Sequence, residues 1–247
     1  MVFPSFLWIN WLWGLNMSDL WKYRYGKFFI AATAFFFAAF EIVRLGWGEI
    51  QETFLLRLTL ALLLNLSILI TALIGERNNS QKRNQIILIV LLLYALADMF
   101  ALNSSWFRSP WKVFLVGGCY LAGHCILLVL LCKTGKIFRY QYVVLLTVIV
   151  TAAFVLFADR ENLNHIPAFF LYASILAAIF ACSLNNSYYR FGCIVFLLGD
   201  LIGLGHMTIP AMNNPFAHVL SLGIYYTGMM GFASSTYQNG EDGRLYD

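Results

Sequence analysis

Long runs of apolar residues, separated by short polar segments, cover most of the chain from residue 27 onward. The runs are unbroken rather than alternating, and each is close to the roughly 20 residues that an α-helix needs to cross a bilayer. In lipid only helices and closed β-barrels satisfy every backbone polar group, and unbroken runs are typical of helices. The pattern predicts an all-α membrane protein with eight transmembrane helices, near residues 27–47, 53–74, 85–103, 111–132, 140–158, 167–184, 190–209 and 215–235.

The polar segments between the runs are short and rich in turn-forming residues, as in GERNNSQKRN at 75–84 and PAMNNP at 210–215. None is long enough to separate two soluble domains, so residues 1–247 are interpreted as a single integral membrane domain. Residues 1–26 are rich in tryptophan and lack the basic region and cleavage site of a removable signal peptide. They predict an interfacial segment at the headgroup level, and residues 236–247 a tail.

Composition and charge narrow the class of protein further. With 61% hydrophobic and 11% charged residues, the chain lacks the polar surface of a soluble globule. Along the eight predicted helices, eleven of the 16 Lys and Arg residues fall on the side that holds both termini. This bias predicts cytoplasmic termini and weighs against a nucleic-acid partner. The short loops favour a bacterial inner membrane, or the endoplasmic reticulum in a eukaryote.

The five cysteines all fall within predicted helices or at their ends. At such positions Cys behaves as a small apolar residue, and the spacing forms neither a disulfide framework nor a C-x-x-C site. His124 is next to Cys125, which does not give the same-face spacing of two zinc ligands on a helix. No metal or other cofactor is expected.

Two acids interrupt the apolar runs. Asp98 in the third predicted helix and Asp200 in the seventh each cost about 2.5–3.5 kcal/mol on insertion scales. Their surroundings are alike: YALADMFAL at 94–102 aligns with FLLGDLIGL at 196–204. The helices that follow, with VGGCYLAGH and SLGIYYTGMM, also align. Because the copies are four helices apart, they predict a parallel four-plus-four repeat with its axis along the membrane normal.

A rise of about 1.5 Å per residue puts Asp98, Tyr120, Asp200 and Tyr225 each roughly midway across the bilayer. Intramembrane acids are functional by default, which favours a site at this depth. The alternative is that both acids are satisfied by neighbouring helices and only stabilise the bundle.

The order of several short motifs resembles the YhhN-type lysoplasmalogenase family of eight-helix membrane hydrolases. The matching pieces are LADMFAL, GGCYLAGH, PAFFLYASILAAIFA and GCIVFLLGDLIGL followed by YYTGMM, and together they span about two thirds of the chain, from the third helix onward. The chain departs from the usual family pattern at Ala97 and Gly199 (usually Gly and Ser), at Glu52 and Thr53 (usually Lys-Pro), and at Met229 and Met230 (near the usual Gln).

The resemblance implies hydrolysis of the vinyl-ether bond of a lysoplasmalogen or related lysophospholipid, giving a fatty aldehyde and a glycerophospho-base. Protonation of the outer alkene carbon gives an oxocarbenium ion that water captures, so one acid and one anion suffice. In glycosidases a pair of carboxyl groups divides these two roles, with one group protonated and the other ionised. The residues leave open which acid has which role. The assignment adopted is Asp98 as proton donor and Asp200 as base or cation stabiliser, with substrate or water oriented by Tyr120, His124, Tyr172, Tyr225 and Tyr226.

Two other classes of function fit the same pattern. Parallel repeats with midplane acids also occur in proton-coupled transporters, and a lipid-binding membrane protein without catalysis would look similar. A purely structural subunit is the third possibility. A retinal photoreceptor is disfavoured, because none of the last four predicted helices contains a lysine for a Schiff base.

Overall fold

All regular structure in the described residues is helical. The computed structural model describes residues 24–47, 53–78, 81–102, 111–134, 140–157, 166–184, 186 and 189–237. The all-α prediction is confirmed for these residues, and the number of α-helices in them equals the predicted eight. They are α1 (Arg24–Trp47), α2 (Phe54–Asn78), α3 (Lys82–Leu102), α4 (Trp111–Thr134), α5 (Tyr140–Phe157), α6 (Ile166–Ser183), α7 (Arg190–Thr208) and α8 (Pro215–Ser235), with a 3-10 turn at Pro210–Met212.

Helices α1 to α5 are each long and apolar enough to cross a membrane. They also carry large apolar side chains on their outer faces: Phe35 on α1 is 67% exposed and Leu156 on α5 is 75% exposed. Such a surface would be unstable in water and matches the hydrocarbon of a bilayer. The protein is therefore a helical, multi-pass membrane protein.

Two predicted segments lie wholly or largely outside the described residues. The predicted interfacial segment 1–26 is described only from Arg24, where α1 begins, and the predicted tail 236–247 only for its first two residues. Both stay predictions.

Packing divides the described chain into two compact units. The first unit runs up to Leu127 and resumes at Phe232, and the second unit runs from Leu128 to Gly231. The first unit therefore holds α1, α2, α3 and most of α4, whereas the second holds α5, α6, α7 and most of α8.

In the first unit, α2 presents a stripe of fully buried residues at helical spacing, Leu64, Ile68 and Ala72. A polar contact accompanies this apolar packing: the hydroxyls of Thr33 on α1 and Ser67 on α2 are 2.6 Å apart and both residues are buried. Hydroxyl contacts of this kind link helices in lipid, where packing rather than the hydrophobic effect holds them together.

The last turn of α8 completes the first unit. The Thr236 hydroxyl donates to the Ala72 carbonyl (3.3 Å), and the Thr236 carbonyl accepts from the Asn84 side-chain amide (3.1 Å). A Cβ on Gly75 would overlap the Thr236 side chain, so glycine is required for this approach. Backbone and side chain together fix the end of α8 against α2 and α3.

In the second unit, α5 and α6 meet through stacked rings. The centroids of Phe154 and Phe169 are 3.9 Å apart with an angle of 16° between the planes. At the end of α4, the thiol sulfur of Cys132 lies 3.7 Å from that of Cys182 on α6, and both cysteines are free.

Helices α7 and α8 form a closely packed hairpin in the second unit. Its turn is fixed locally: Pro215 is the first residue of α8, and the Asn214 side-chain oxygen accepts from the Ala217 backbone N–H at 2.9 Å. Glycines then let the two backbones approach. A Cβ on Gly199 would lie 2.6 Å from the Tyr225 nitrogen. This is the small-residue packing typical of membrane helices.

Candidate functional site

Asp98 lies on the inner face of α3, in the first unit. The buried residues of this helix recur at helical spacing through Leu91, Tyr94 and Asp98, so the periodicity that buries the apolar side chains also buries the acid. The Asp98 side chain is only 8% exposed. The Tyr120 hydroxyl on α4 donates to Asp98 Oδ1 at 2.5 Å, at the short end of O–H···O distances.

His124 is one turn beyond Tyr120 on α4 and is completely buried. Its Nδ1 lies 2.6 Å from the Tyr120 carbonyl oxygen. Because a carbonyl can only accept, Nδ1 carries the proton in this contact. The contact orients the ring, with Nε2 as the remaining nitrogen of the imidazole.

Tyr94 completes this group. It is fully buried, and its ring centroid lies 6.0 Å from that of Tyr120 and 5.4 Å from that of His124. A Cβ on Gly123 would come 2.5 Å from the Tyr94 ring, so the small residue makes room for it. We call Asp98, Tyr120, His124 and Tyr94 the first-unit cluster.

Asp200 lies on α7, in the second unit, and is half-buried. The Tyr172 hydroxyl on α6 donates to Asp200 Oδ2 at 3.0 Å. Tyr172 is in the second turn of α6, and α6 and α7 are joined by a short connection, so the start of α6 and the later part of α7 lie side by side. We call Asp200 and Tyr172 the second-unit pair.

Tyr225 and Tyr226 are both buried in the second unit, at 4% and 7% exposure. Their ring centroids are 5.1 Å apart, and the Tyr225 ring also lies 5.0 Å from that of Phe196 on α7. Phe196 is one turn before Asp200, so these rings pack next to the acid along α7.

The two units contain a matching aromatic contact. In the first, Tyr94 lies four residues before the acid and contacts Tyr120, at 6.0 Å and 36°. In the second, Phe196 lies four residues before the acid and contacts Tyr225, at 5.0 Å and 40°. These four residues occupy equivalent positions in the aligned sequence segments.

The structure thus gives each of the seven predicted site residues an acid or an aromatic ring as a partner within its own unit. Asp98, Tyr120 and His124 come together in one unit, and the other four residues lie in the second unit. Sequence reasoning missed Tyr94 and Phe196, although a signal was available: each is an aromatic residue one helical turn before an acid in an apolar run. In the described part of the chain, no three His, Cys, Asp or Glu side chains are grouped so as to hold a metal ion.

The carboxyl and phenol groups of these two sites could take part in proton transfer. Each contains a carboxyl group within an apolar helix and a phenol hydroxyl in hydrogen-bond contact with it. A carboxyl group in such surroundings can store, donate or accept a proton, and the hydroxyl orients it.

No protein-family model, no curated protein and no solved structure matches this chain. The resemblance to the lysoplasmalogenase family therefore stays a prediction from the sequence motifs.

Proposed function

We propose that the protein hydrolyses the vinyl-ether bond of a lysoplasmalogen or a related lysolipid, as the family resemblance implies. One observation supports this proposal above the others: each of the two intramembrane acids accepts a hydrogen bond from a tyrosine hydroxyl, at 2.5 Å for Asp98 and 3.0 Å for Asp200. Placing an acid in lipid costs free energy, and a carboxyl group that is hydrogen-bonded by a tyrosine hydroxyl fits proton-transfer chemistry.

In the proposed reaction, Asp98 gives its carboxyl proton to the outer alkene carbon, which carries the alkyl chain. The alkene electron pair forms the new C–H bond, and positive charge is left on the inner carbon and the ether oxygen. Water adds to the inner carbon and gives a proton to Asp200. The resulting hemiacetal breaks its bond to the glycerol oxygen while its hydroxyl proton passes to that oxygen, giving a fatty aldehyde and an alcohol. Return of a proton to Asp98 and loss of one from Asp200 complete the cycle, with one water consumed.

The surrounding residues have orienting roles in this proposal. Tyr120 fixes the Asp98 carboxyl group from α4, and the contact from His124 to the Tyr120 carbonyl oxygen ties the two side chains to the same turn. Tyr172 does the same for Asp200, and a negative carboxylate there would stabilise the oxocarbenium ion. Tyr225 and Tyr226 are assigned to the substrate or to the attacking water.

The proposal includes the membrane topology. Helices α6, α7 and α8 contain 18, 19 and 21 residues, which corresponds to about 27–32 Å at 1.5 Å per residue and is close to the ~30 Å hydrocarbon core. We propose that they span the bilayer with the other five helices and that both termini are cytoplasmic. The matching aromatic contacts support the parallel four-plus-four repeat.

The direct test is aldehyde release from lysoplasmenylethanolamine by the purified protein in liposomes. The 1-O-alkyl lysolipid, which has an ether but no alkene to protonate, is the substrate control and is expected to give no product. Proton flux that depends on a transported solute, with no aldehyde formed, would replace this proposal by the transporter alternative.

Tyr172→Phe is expected to reduce aldehyde release about tenfold or more, because it removes a hydrogen bond to a charged group, worth about 1.5–3 kcal/mol. The reduction should appear in kcat, since the packing of the ring is kept. Steady-state kinetics of the variant check this. Tyr140→Phe, a change at a 64% exposed tyrosine on α5, is the matched control and should leave kcat unchanged. Equal kcat values in both variants and the wild type would remove Tyr172 from the mechanism.

A further inference from the structure

The second unit contains an apolar cavity among α5, α6 and α7. Its volume is about 130 Å³, similar to the ~150 Å³ apolar cavity that binds benzene in an engineered protein. Every residue that lines it is apolar, and Leu198 at its rim is 48% exposed. On α6 and α7 the lining includes Ala173, Leu176, Ala177, Phe180, Leu197 and Leu201.

The cavity begins beside the second-unit pair. Ala173 directly follows Tyr172 on α6, and Leu201 directly follows Asp200 on α7. From these residues the lining continues through Phe180 on α6, which is seven residues and so about 10 Å along the helix axis. Because α6 and α7 run in opposite directions, the cavity extends from the hydrogen-bonded carboxyl group toward the α6–α7 connection. One end is therefore lined by the residues that directly follow Tyr172 and Asp200, and the whole lining is apolar.

We propose that this cavity holds the hydrocarbon chain of a single-chain lipid whose reactive end lies at the second-unit pair. This inference rests on the proposed function, and it names the part of the substrate that the second unit recognises. An apolar space lined at one end by the residues next to a hydrogen-bonded carboxyl group suits a lysolipid, in which a polar linkage continues into one alkyl chain. Because every lining residue is apolar, water in this space would find few hydrogen-bond partners, which disfavours hydration.

The orientation of the bound chain follows from the same geometry. The alkyl chain leaves the vinyl ether at the outer alkene carbon and lies along Leu176, Ala177 and Phe180, while the inner carbon and ether oxygen stay close to Asp200. The cationic carbon then develops next to the Asp200 carboxylate, in agreement with the base or cation-stabilising role assigned to this acid.

The test uses Ala177→Leu, which places three further carbon atoms in the cavity and displaces a similar length of lipid chain. We expect the affinity for a long-chain 1-O-alkyl lysophosphatidylethanolamine to fall about tenfold or more, the loss of roughly two buried methylene groups. The affinity for a 1-O-alkyl lysophosphatidylethanolamine with a short chain should change less than threefold. Equilibrium binding to the full-length protein in detergent micelles gives both values. This probe has no alkene, so binding is measured without hydrolysis.

Two further variants distinguish a blocked cavity from a folding defect as the cause of a lower affinity. Leu198→Trp closes the cavity from its exposed rim, where the larger side chain is easily accommodated, and is expected to give the same selective loss of long-chain affinity. Ala152→Leu makes the same change as Ala177→Leu at an exposed position of α5 and should leave both affinities unchanged. Melting temperatures of all variants show which are folded.

The outcomes separate the inference from the function. Selective loss of long-chain binding supports the cavity as the chain site, even if no aldehyde is ever released. Aldehyde release by the wild type combined with unchanged chain-length dependence in Ala177→Leu and Leu198→Trp would overturn the cavity assignment and leave the hydrolase proposal standing. If Ala177→Leu lowers the affinity for a diacyl phospholipid as much as the affinity for the lysolipid, the cavity is assigned to bilayer lipid. That result would likewise overturn the inference.

Discussion

Asp98→Asn is expected to lower the rate of aldehyde release from lysoplasmenylethanolamine by about 10²–10⁴-fold, the usual contribution of a general acid. Asparagine keeps the shape of the side chain and can still accept the hydrogen bond from Tyr120, but it has no carboxyl proton to give to the alkene. Asp200→Asn should lower the rate to a similar extent, because it removes both the base and the negative charge. Steady-state kinetics in liposomes measure both effects.

Glu41→Gln is the matched control for these two variants. Glu41 is also a buried acid within an apolar helix, at 5% exposure, but its Oε2 accepts two hydrogen bonds from Arg44, at 2.7 and 2.9 Å, within one turn of α1. Neutralising it should leave kcat close to the wild-type value. If both aspartate variants keep wild-type activity, the assigned mechanism is wrong.

Gly228→Ala is expected to destabilise the protein by about 1–3 kcal/mol, the usual cost of adding volume to a packed interior. The added Cβ would lie 2.5 Å from the Cα and the nitrogen of Phe196, and a backbone cannot move aside as a flexible side chain can. Helices α7 and α8 would have to separate. The expected loss is opposite in sign to helix propensity, which favours alanine by up to about 1 kcal/mol. The melting temperature in detergent reports it.

Gly118→Ala makes the same substitution in α4, where an added Cβ would meet no atom within 4 Å. Its melting temperature should equal that of the wild type or exceed it, as helix propensity alone predicts. A Gly228→Ala protein as stable as Gly118→Ala would show that α7 and α8 do not pack as closely as described.

The positions of the helices were predictable from hydropathy, because an apolar run of membrane length has few alternatives to a helix. The predicted α8 segment, 215–235, matches the observed Pro215–Ser235, since proline and a capping asparagine mark its start. Hydropathy was less reliable where a helix extends beyond its apolar part. α2 was predicted to end at residue 74 but continues to Asn78, where Gly75 packs against the end of α8.

The candidate site was predictable only in part. Burial of Asp98 and its proximity to Tyr120 follow from helical periodicity and from the order of α3 and α4 along the chain. The contact between Asp200 and Tyr172 does not, because hydropathy does not specify which side of α7 faces α6. The cavity next to this contact was invisible in the sequence for the same reason: alanines and leucines in an apolar run look alike whether they face lipid, another helix or a cavity.

The two aligned acidic segments are alike in ring packing but not in hydrogen bonding. Tyr120 and Tyr225, which the alignment pairs, contact Tyr94 and Phe196 respectively. Asp98 accepts its hydrogen bond from Tyr120, whereas Asp200 accepts one from Tyr172. The His124 position differs between the copies: the aligned segment has methionine there. Two segments with the same ring packing but different residues at the His124 position would fit separate roles, one as acid and one as base.

The central claim, protonation of the alkene followed by capture of water, is tested most directly by the isotopic content of the aldehyde formed in D₂O. The product is reduced at once to the alcohol, to prevent later exchange, and analysed by mass spectrometry. The proposed mechanism predicts one solvent deuterium on the carbon next to the former carbonyl carbon. An aldehyde without that deuterium, or the absence of any aldehyde from a folded, lipid-embedded protein, would contradict it.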